Sequence, residues 1–330
     1  MKTYFRNGTM KEIPHFYDDR EEFYIQELES EIQNSYIYLG DSINYALDGE
    51  LCILYDTFRD MIFENVDQYY SELDMLPIWV QDAGQSSDCS ISADTFIHWI
   101  QDSNIPNLHK HLYLVDCQFL VGTIQKLLCA MDDAFVRYYQ IIATTDKEEN
   151  AKGLIDGDGT ICVQSQSSIQ ASAMIETYFI KAYSILDIVC KICYEIQFKK
   201  EDFSTYRKIK SADVLWGARK ELVVNGKENT VFENCDLIRI IEALRNELVH
   251  NGTWELRPKK FVRFEKGMIQ ERFMLFPDIT QGHLSTVKSR KHFFATGTKV
   301  NDILPCIHAE FKNRLLKTIE MINSNTIFVS

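Results

Sequence analysis

Arg245-Asn246-Glu247-Leu248-Val249-His250 closes a stretch that opens at Asn234-Cys235-Asp236 and stops at Asn251-Gly252. The intervening Leu237-Ile238-Arg239-Ile240-Ile241-Glu242-Ala243-Leu244 places apolar residues at helical spacing behind a cap-type Asn and a first-turn acid, which predicts a helix. Leu237, Ile241, Leu244 and Leu248 fall on one stripe, and Glu242, Asn246 and His250 recur every fourth residue on another. Asn246 and His250 therefore face the same way. Arg245 lies about 140° around an ideal helix from His250. The two converge only if the long Arg side chain wraps back, the last turn loosens, or a second copy of the chain contributes. Asn251-Gly252 suits a loosened end, because both residue types accept the left-handed conformation that terminates helices.

A guanidinium that holds phosphate, an amide that orients it and an imidazole that moves protons suffice for phosphodiester cleavage without metal. Each group also has a structural use: His near a helix C-terminus is favoured by the dipole, and Arg245 can pair with Glu242 three residues back. The string Arg-Asn-x-x-x-His followed by Asn-Gly resembles the signature of the HEPN superfamily, all-helical domains with an Arg, four to six residues and a His on a late helix. Arg245, Asn246 and His250 match that pattern one for one. The resemblance covers this helix and, more loosely, the helices before it, residues 108 to 255. It implies a homodimer, no metal or other cofactor, and a role in phage defence or a toxin–antitoxin system.

The rest of the chain is consistent with a globular protein. With 330 residues, 45% of them hydrophobic, it can bury one large core or two modest ones. Nine cysteines, odd in number and scattered among apolar residues, are unlike a disulfide framework. The polar start and the lack of a recognised membrane-length apolar run lead to the expectation of a cytoplasmic protein with no membrane partner. The net charge of −13 is unevenly spread. Residues 1 to 150 carry 9 Lys and Arg against 27 Asp and Glu, residues 151 to 250 carry 13 against 14, and residues 251 to 330 carry 13 against 7, so the segments stand at −18, −1 and +6. Positive residues follow the motif (Arg257, Lys259, Lys260, Arg263, Arg272, Lys288, Arg290, Lys291) and precede it (Lys199, Lys200, Arg207, Lys208, Lys210, Arg219, Lys220). Such flanks steer phosphates if the fold brings them together, and otherwise serve as solvated faces. Lys259, Lys260 and Arg263 are the expected substrate contacts.

Helical patterning dominates residues 18 to 48, 50 to 75, 111 to 146, 165 to 198 and 300 to 323. Residues 81 to 107 read as a loop-rich connection and 212 to 222 as a short helix. Phe261 to Phe264 and Met268 to Phe276 read as a β-hairpin ended by Pro277. The expected fold class is mainly α: a HEPN-like helical bundle with additional N-terminal helices and a small β-hairpin near the C-terminus. Its expected divisions are an acidic N-terminal helical region (1–105), the bundle with the motif (106–255), and a basic hairpin and helix packed on it (256–330).

Other constellations read as structural. Cys190-Lys191-Ile192-Cys193 sits in a helical apolar stripe without a second ligand pair, Asp156-Gly157-Asp158-Gly159 lacks the later ligands of a calcium loop, and His109-Lys110-His111 has no carboxylate or Cys partner. Glu176, Lys181 and Asp187 interrupt the second long helix, and exposure explains them unless one faces the motif. Neither a phosphate-cradling Gly-rich loop nor a nucleophile elbow is present. The expected activity is endoribonucleolytic transphosphorylation, with Arg245, Asn246 and His250 catalytic and RNA as partner. The alternatives are a non-catalytic HEPN-like module that binds RNA or protein, and a purely structural helical scaffold. The acidic first 75 residues are suited to hold a protein partner, to mimic nucleic acid or to mask the basic face.

Overall fold

A computed structural model describes residues 1–15, 17, 23–28, 35–38, 43–147, 149, 158–209 and 222–328. The chain forms two compact units, each assembled from three separated segments. Unit 1 comprises Met1–Leu47, Leu127–Ser184 and Lys227–Lys317; unit 2 comprises Asp48–Lys126, Ile185–Gly226 and Thr318–Ser330.

The expected helical bundle with extra N-terminal helices is not what forms; the chain mixes helices with three small sheets among its described residues. In unit 1, β1 (Lys2–Phe5), β2 (Met10–Glu12), β3 (Tyr24–Leu28) and β4 (Ser35–Tyr38) make an antiparallel sheet in the order β2-β1-β3-β4. Strands thus occupy described parts of residues 18 to 48, where a helix was expected. The physical reason lies in Phe23-Tyr24-Ile25-Gln26, four consecutive buried residues. An interior strand buries both faces, and such a run cannot be told from a buried helix by periodicity. The β1–β2 hairpin turns at Asn7-Gly8, where Gly8 N–H donates to the Phe5 carbonyl at 2.9 Å, a local hairpin signal that helical patterning further along the chain obscured.

The expected hairpin forms as β6 (Lys260–Glu265) and β7 (Met268–Phe273), and gains a third strand, β5 (Gly159–Val163), in the order β5-β6-β7. Val163, Val262 and Phe264 are buried together on one face of this sheet. Of Asp156-Gly157-Asp158-Gly159, the first two residues lie outside those described. The short pair β8 (Ile279–Thr280) and β9 (His283–Leu284) follows.

The helices are α1 (Ile43–Ile62), α2 (Val66–Leu73), α3 (Ala93–Asp102), α4 (Leu108–Ile142), α5 (Gln166–Gln197), α6 (Asp236–Asn251) and α7 (Val300–Asn323). In unit 2, α3 lies inside the expected loop-rich connection. Ser92 caps it by accepting from Thr95 N–H at 3.1 Å, and Phe96, Trp99 and Ile100 pack on Val80, Leu108 and Leu112. The short helix expected at 212 to 222 falls almost entirely on residues outside those described. Against the expectation that no apolar run has membrane-spanning length, α4 alone among the described helices is long and apolar enough to cross a membrane, and 33% of its apolar stretch is buried within the fold. Pro305 lies inside α7 and has no N–H to offer the Asn301 carbonyl one turn back; the Tyr139 hydroxyl donates to that carbonyl instead, at 2.8 Å.

Candidate functional site

Helix α6 carries the motif within unit 1. Leu237, Ile241, Leu244 and Leu248 are buried along the expected stripe, joined by Ile238. The N-cap is Cys235 and not Asn234; Asn234 instead accepts from Arg239 Nε at 2.8 Å. The helix ends in the left-handed conformation at Gly252 (φ 85°), whose N–H donates to the Leu248 carbonyl at 3.0 Å. A side chain at Gly252 would meet open space, so only the backbone conformation selects glycine there.

The Arg245 side chain has two contacts. Its Nη1 donates to Asn246 Oδ1 at 2.9 Å, and its guanidinium lies over the Tyr183 ring of α5, 4.4 Å from the centroid. No ion pair with Glu242 forms among the described residues. Asn246 and His250 share a face of the helix, and Arg245 is tied to the first of them. Arg245 and Asn246 are half-buried and His250 is exposed.

Between these residues in the sequence stands a buried carboxylate. Glu247 Oε1 accepts from Asn251 Nδ2 at 2.8 Å, and Oε2 from Lys291 Nζ at 2.9 Å. His292 Nε2 approaches Oε1 at 3.4 Å, outside good hydrogen-bond geometry, and has no other hydrogen-bond partner. Burial lowers the His292 pKa, Glu247 raises it, and Lys291 lowers it; the net direction is down. Lys291 and His292 sit on the loop between β9 and α7, which Asp278 ties in place. The Asp278 carboxylate accepts from the N–H groups of Ala295 (2.8 Å) and Thr296 (2.9 Å) and from the Thr296 hydroxyl (2.6 Å). Those hydrogen bonds hold Asp278 below the usual carboxylate range. Further back, the β8–β9 turn lies against the start of α6: Gly282 (φ 79°) leaves room for Arg239, whose Cβ would be 2.5 Å from an added Cβ, and Arg239 Nη1 donates to the Gln281 carbonyl at 3.2 Å.

The expected substrate contacts diverge. Lys260 is fully buried, its ammonium 2.5 Å from both Asp146 and Glu149 and 2.7 Å from the Thr144 carbonyl. Its expected role is therefore corrected: its donors are spent inside the fold and it offers no charge to a phosphate. Arg263 is exposed and lies 3.4 Å from Glu271, and Lys259 is half-buried. Arg272 is also internal, pairing with Glu149 at 2.9 Å. Arg257, Lys288 and Arg290 are exposed. In the upstream basic stretch, Lys200 pairs with Glu195 at 3.5 Å and Arg207 with Asp202, within unit 2, while Lys210, Arg219 and Lys220 lie outside the described residues.

Of the polar residues in α5, Glu176 reaches the motif end: the Thr253 hydroxyl donates to it at 2.6 Å. Sequence reasoning did not assign Tyr183, Glu247, Lys291 or His292. Glu247 carried the one available signal, an acid on the motif helix between Asn246 and His250. Cys190 and Cys193 are buried, and burial pushes the Cys190 thiol up to about 12. His109 Nδ1 lies 3.3 Å from the Phe203 carbonyl, and the buried His111 lies 3.1 Å from Glu72. Unit 2 holds its own cavity of about 240 Å³, walled by Val80, Phe96, Leu112 and Phe119 with the Asp116 carboxyl and Tyr206 at its side, and no motif residue lines it. Burial raises the Asp116 pKa against the lowering effect of the Tyr206 hydrogen bond. No family model, curated protein or solved structure matches this chain.

Proposed function

We propose that this protein is a cytoplasmic endoribonuclease that uses the HEPN-type Arg-Asn-x-x-x-His motif to cleave RNA without a metal ion, acting as a homodimer. The observation that supports the reading is that Arg245 and Asn246, joined by a hydrogen bond at 2.9 Å, share a helix with an exposed His250 in its last turn. One of the five guanidinium N–H groups is engaged with Asn246, and the others are free to meet developing charge on phosphorane oxygens. The 2′-oxygen attacks phosphorus, the bond to the 5′-oxygen breaks, and protons leave the first oxygen and arrive at the second. The products are a 2′,3′-cyclic phosphate and a 5′-hydroxyl. Asn246 holds the guanidinium and keeps its amide N–H groups for phosphate, while His250 moves a proton.

Dimerisation is supported by apolar side chains left in solvent beside the motif. Val249 is 54% exposed and Leu256 is 86% exposed. Ile169 and Ile180, on the same helix as Glu176 and Tyr183, are exposed as well. A second copy would cover such surface.

The test is cleavage of RNA by the full-length protein in EDTA, with product ends identified, beside a His250→Ala variant of unchanged fold. A fall of at least ~10²-fold in rate is expected. Equal cleavage by both proteins rejects the reading, and RNA binding without cleavage assigns the motif to a non-catalytic binding module.

A further inference from the structure

We infer that Glu247 and His292 form a second acid–base unit of the same site, with His292 as the base that takes the 2′-hydroxyl proton and His250 as the acid that protonates the departing 5′-oxygen. This rests on the ribonuclease reading. One imidazole cannot readily do both tasks in a single turnover, and the chain supplies another against the same helix end.

Three observations support it. First, the place is right: on an ideal helix Glu247 lies about 60° from His250, and Asn251, bonded to Glu247, is the next residue after His250. Second, the ring is oriented as a base must be. Nε2 is buried and turns inward to the carboxylate at 3.4 Å, while the side chain as a whole keeps 24% of its surface exposed. Once closed to a hydrogen bond, a carboxylate on one ring nitrogen fixes the tautomer that leaves the other as acceptor, and it stabilises the imidazolium after the proton has moved. Such contacts are commonly long before substrate binds and tighten afterwards. Third, the carboxylate is itself held rigidly, by Lys291 on one oxygen and Asn251 on the other. The charged groups facing His292 are Glu247 on α6 and Lys291 on its own loop. Their net effect with burial keeps the ring neutral over a wider pH range, as a base requires. His250 lies in the last turn of α6 and is exposed.

The proton inventory balances. His292 Nδ1 gains the proton of the 2′-hydroxyl as the 2′-oxygen bonds to phosphorus; His250 gives one to the 5′-oxygen as its bond to phosphorus breaks. Solvent then resets both rings.

The experiment uses the full chain in EDTA and two oligoribonucleotides, one ordinary and one with sulfur in place of the bridging 5′-oxygen, a leaving group that needs no proton. His292→Gln is expected to lower kcat by ~10²- to 10⁴-fold on both substrates, with KM within about twofold, and to abolish the acid limb of the kcat/KM profile. His250→Ala is expected to be slow on the oxygen substrate and restored on the sulfur one. Glu247→Gln should fall between wild type and His292→Gln. Unchanged kcat and pH profile in His292→Gln, or its rescue by sulfur, overturns the assignment while leaving the ribonuclease reading intact. Absence of wild-type cleavage overturns both. Should His292→Gln not fold, imidazole resonances of the wild-type chain decide: a non-cleavable 2′-deoxy analogue should shift those of His292 and His250 together, and a shift of His250 alone overturns the inference.

Discussion

At the scale of single residues, Lys260 shows how a charge expected at the surface can belong to the interior. It is buried between Asp146 and Glu149. Lys260→Met strands those carboxylates, with Arg272 still holding Glu149, and should destabilise the protein by about 3 kcal/mol in urea unfolding at neutral pH. Burial raises the Asp146 pKa, but hydrogen bonds from Lys260, Ser167 and Ser165 outweigh it and hold the folded carboxyl below its ordinary range. A depressed carboxylate stabilises above its unfolded value of about 3.9 and loses that contribution as pH falls through the folded value. The deficit of Lys260→Met should therefore shrink as unfolding is repeated below about pH 4; a constant deficit would rule this account out. The partners of Lys260 stand more than a hundred residues upstream, with Thr144 at a separation of 116, and no local pattern announces them. The same holds for His292, whose link to Glu247 depends on a long loop returning to α6. The Arg245–Asn246 hydrogen bond, by contrast, joins neighbours on one helix, a separation that sequence patterning does reach.

At the scale of elements, α7 illustrates a proline accommodated by tertiary structure. Pro305 leaves the Asn301 carbonyl without its helical partner, and the Tyr139 hydroxyl of α4 fills the vacancy. Tyr139→Phe should lower stability by about 1–2 kcal/mol, the cost of an unmet buried acceptor. In a Pro305→Ala background, where a helical N–H is available, the same change should cost clearly less; a double-mutant cycle by denaturant melts measures the difference, and strict additivity would refute the compensation. Helices α4, α5, α6 and α7 were legible because their apolar periods persist over many turns. The β3 strand was not, since Phe23 to Gln26 are buried without alternation. Likewise α3 is a short element whose cap and Phe96-Trp99-Ile100 spacing sit in a segment otherwise marked by turn-forming residues.

At the scale of the whole molecule, a net charge of −13 stands beside a positive segment from residue 251 onward. RNA binding should weaken with salt, the slope of log affinity against log salt being about −0.7 for each single-strand phosphate neutralised. Titrations over several salt concentrations test this, and a flat dependence would remove Arg257, Lys288 and Arg290 as phosphate contacts. The charge imbalance was readable from composition. How the chain divides was harder to read, because each unit gathers pieces from distant parts of the sequence.

That gathering has a consequence for synthesis. The Arg272 backbone N–H donates to the Asn7 carbonyl at 2.8 Å, and Asn301 of α7 donates to the Arg6 and Arg272 carbonyls. A polypeptide emerging from the ribosome cannot make the first of these closures before Arg272, or the other two before the start of α7, has been translated. Until then the motif helix lacks part of the scaffold on which its unit rests, so premature termination products carry the Arg–His pair on an unfinished support. The threading of the chain thereby delays completion of this scaffold until α7 has been made.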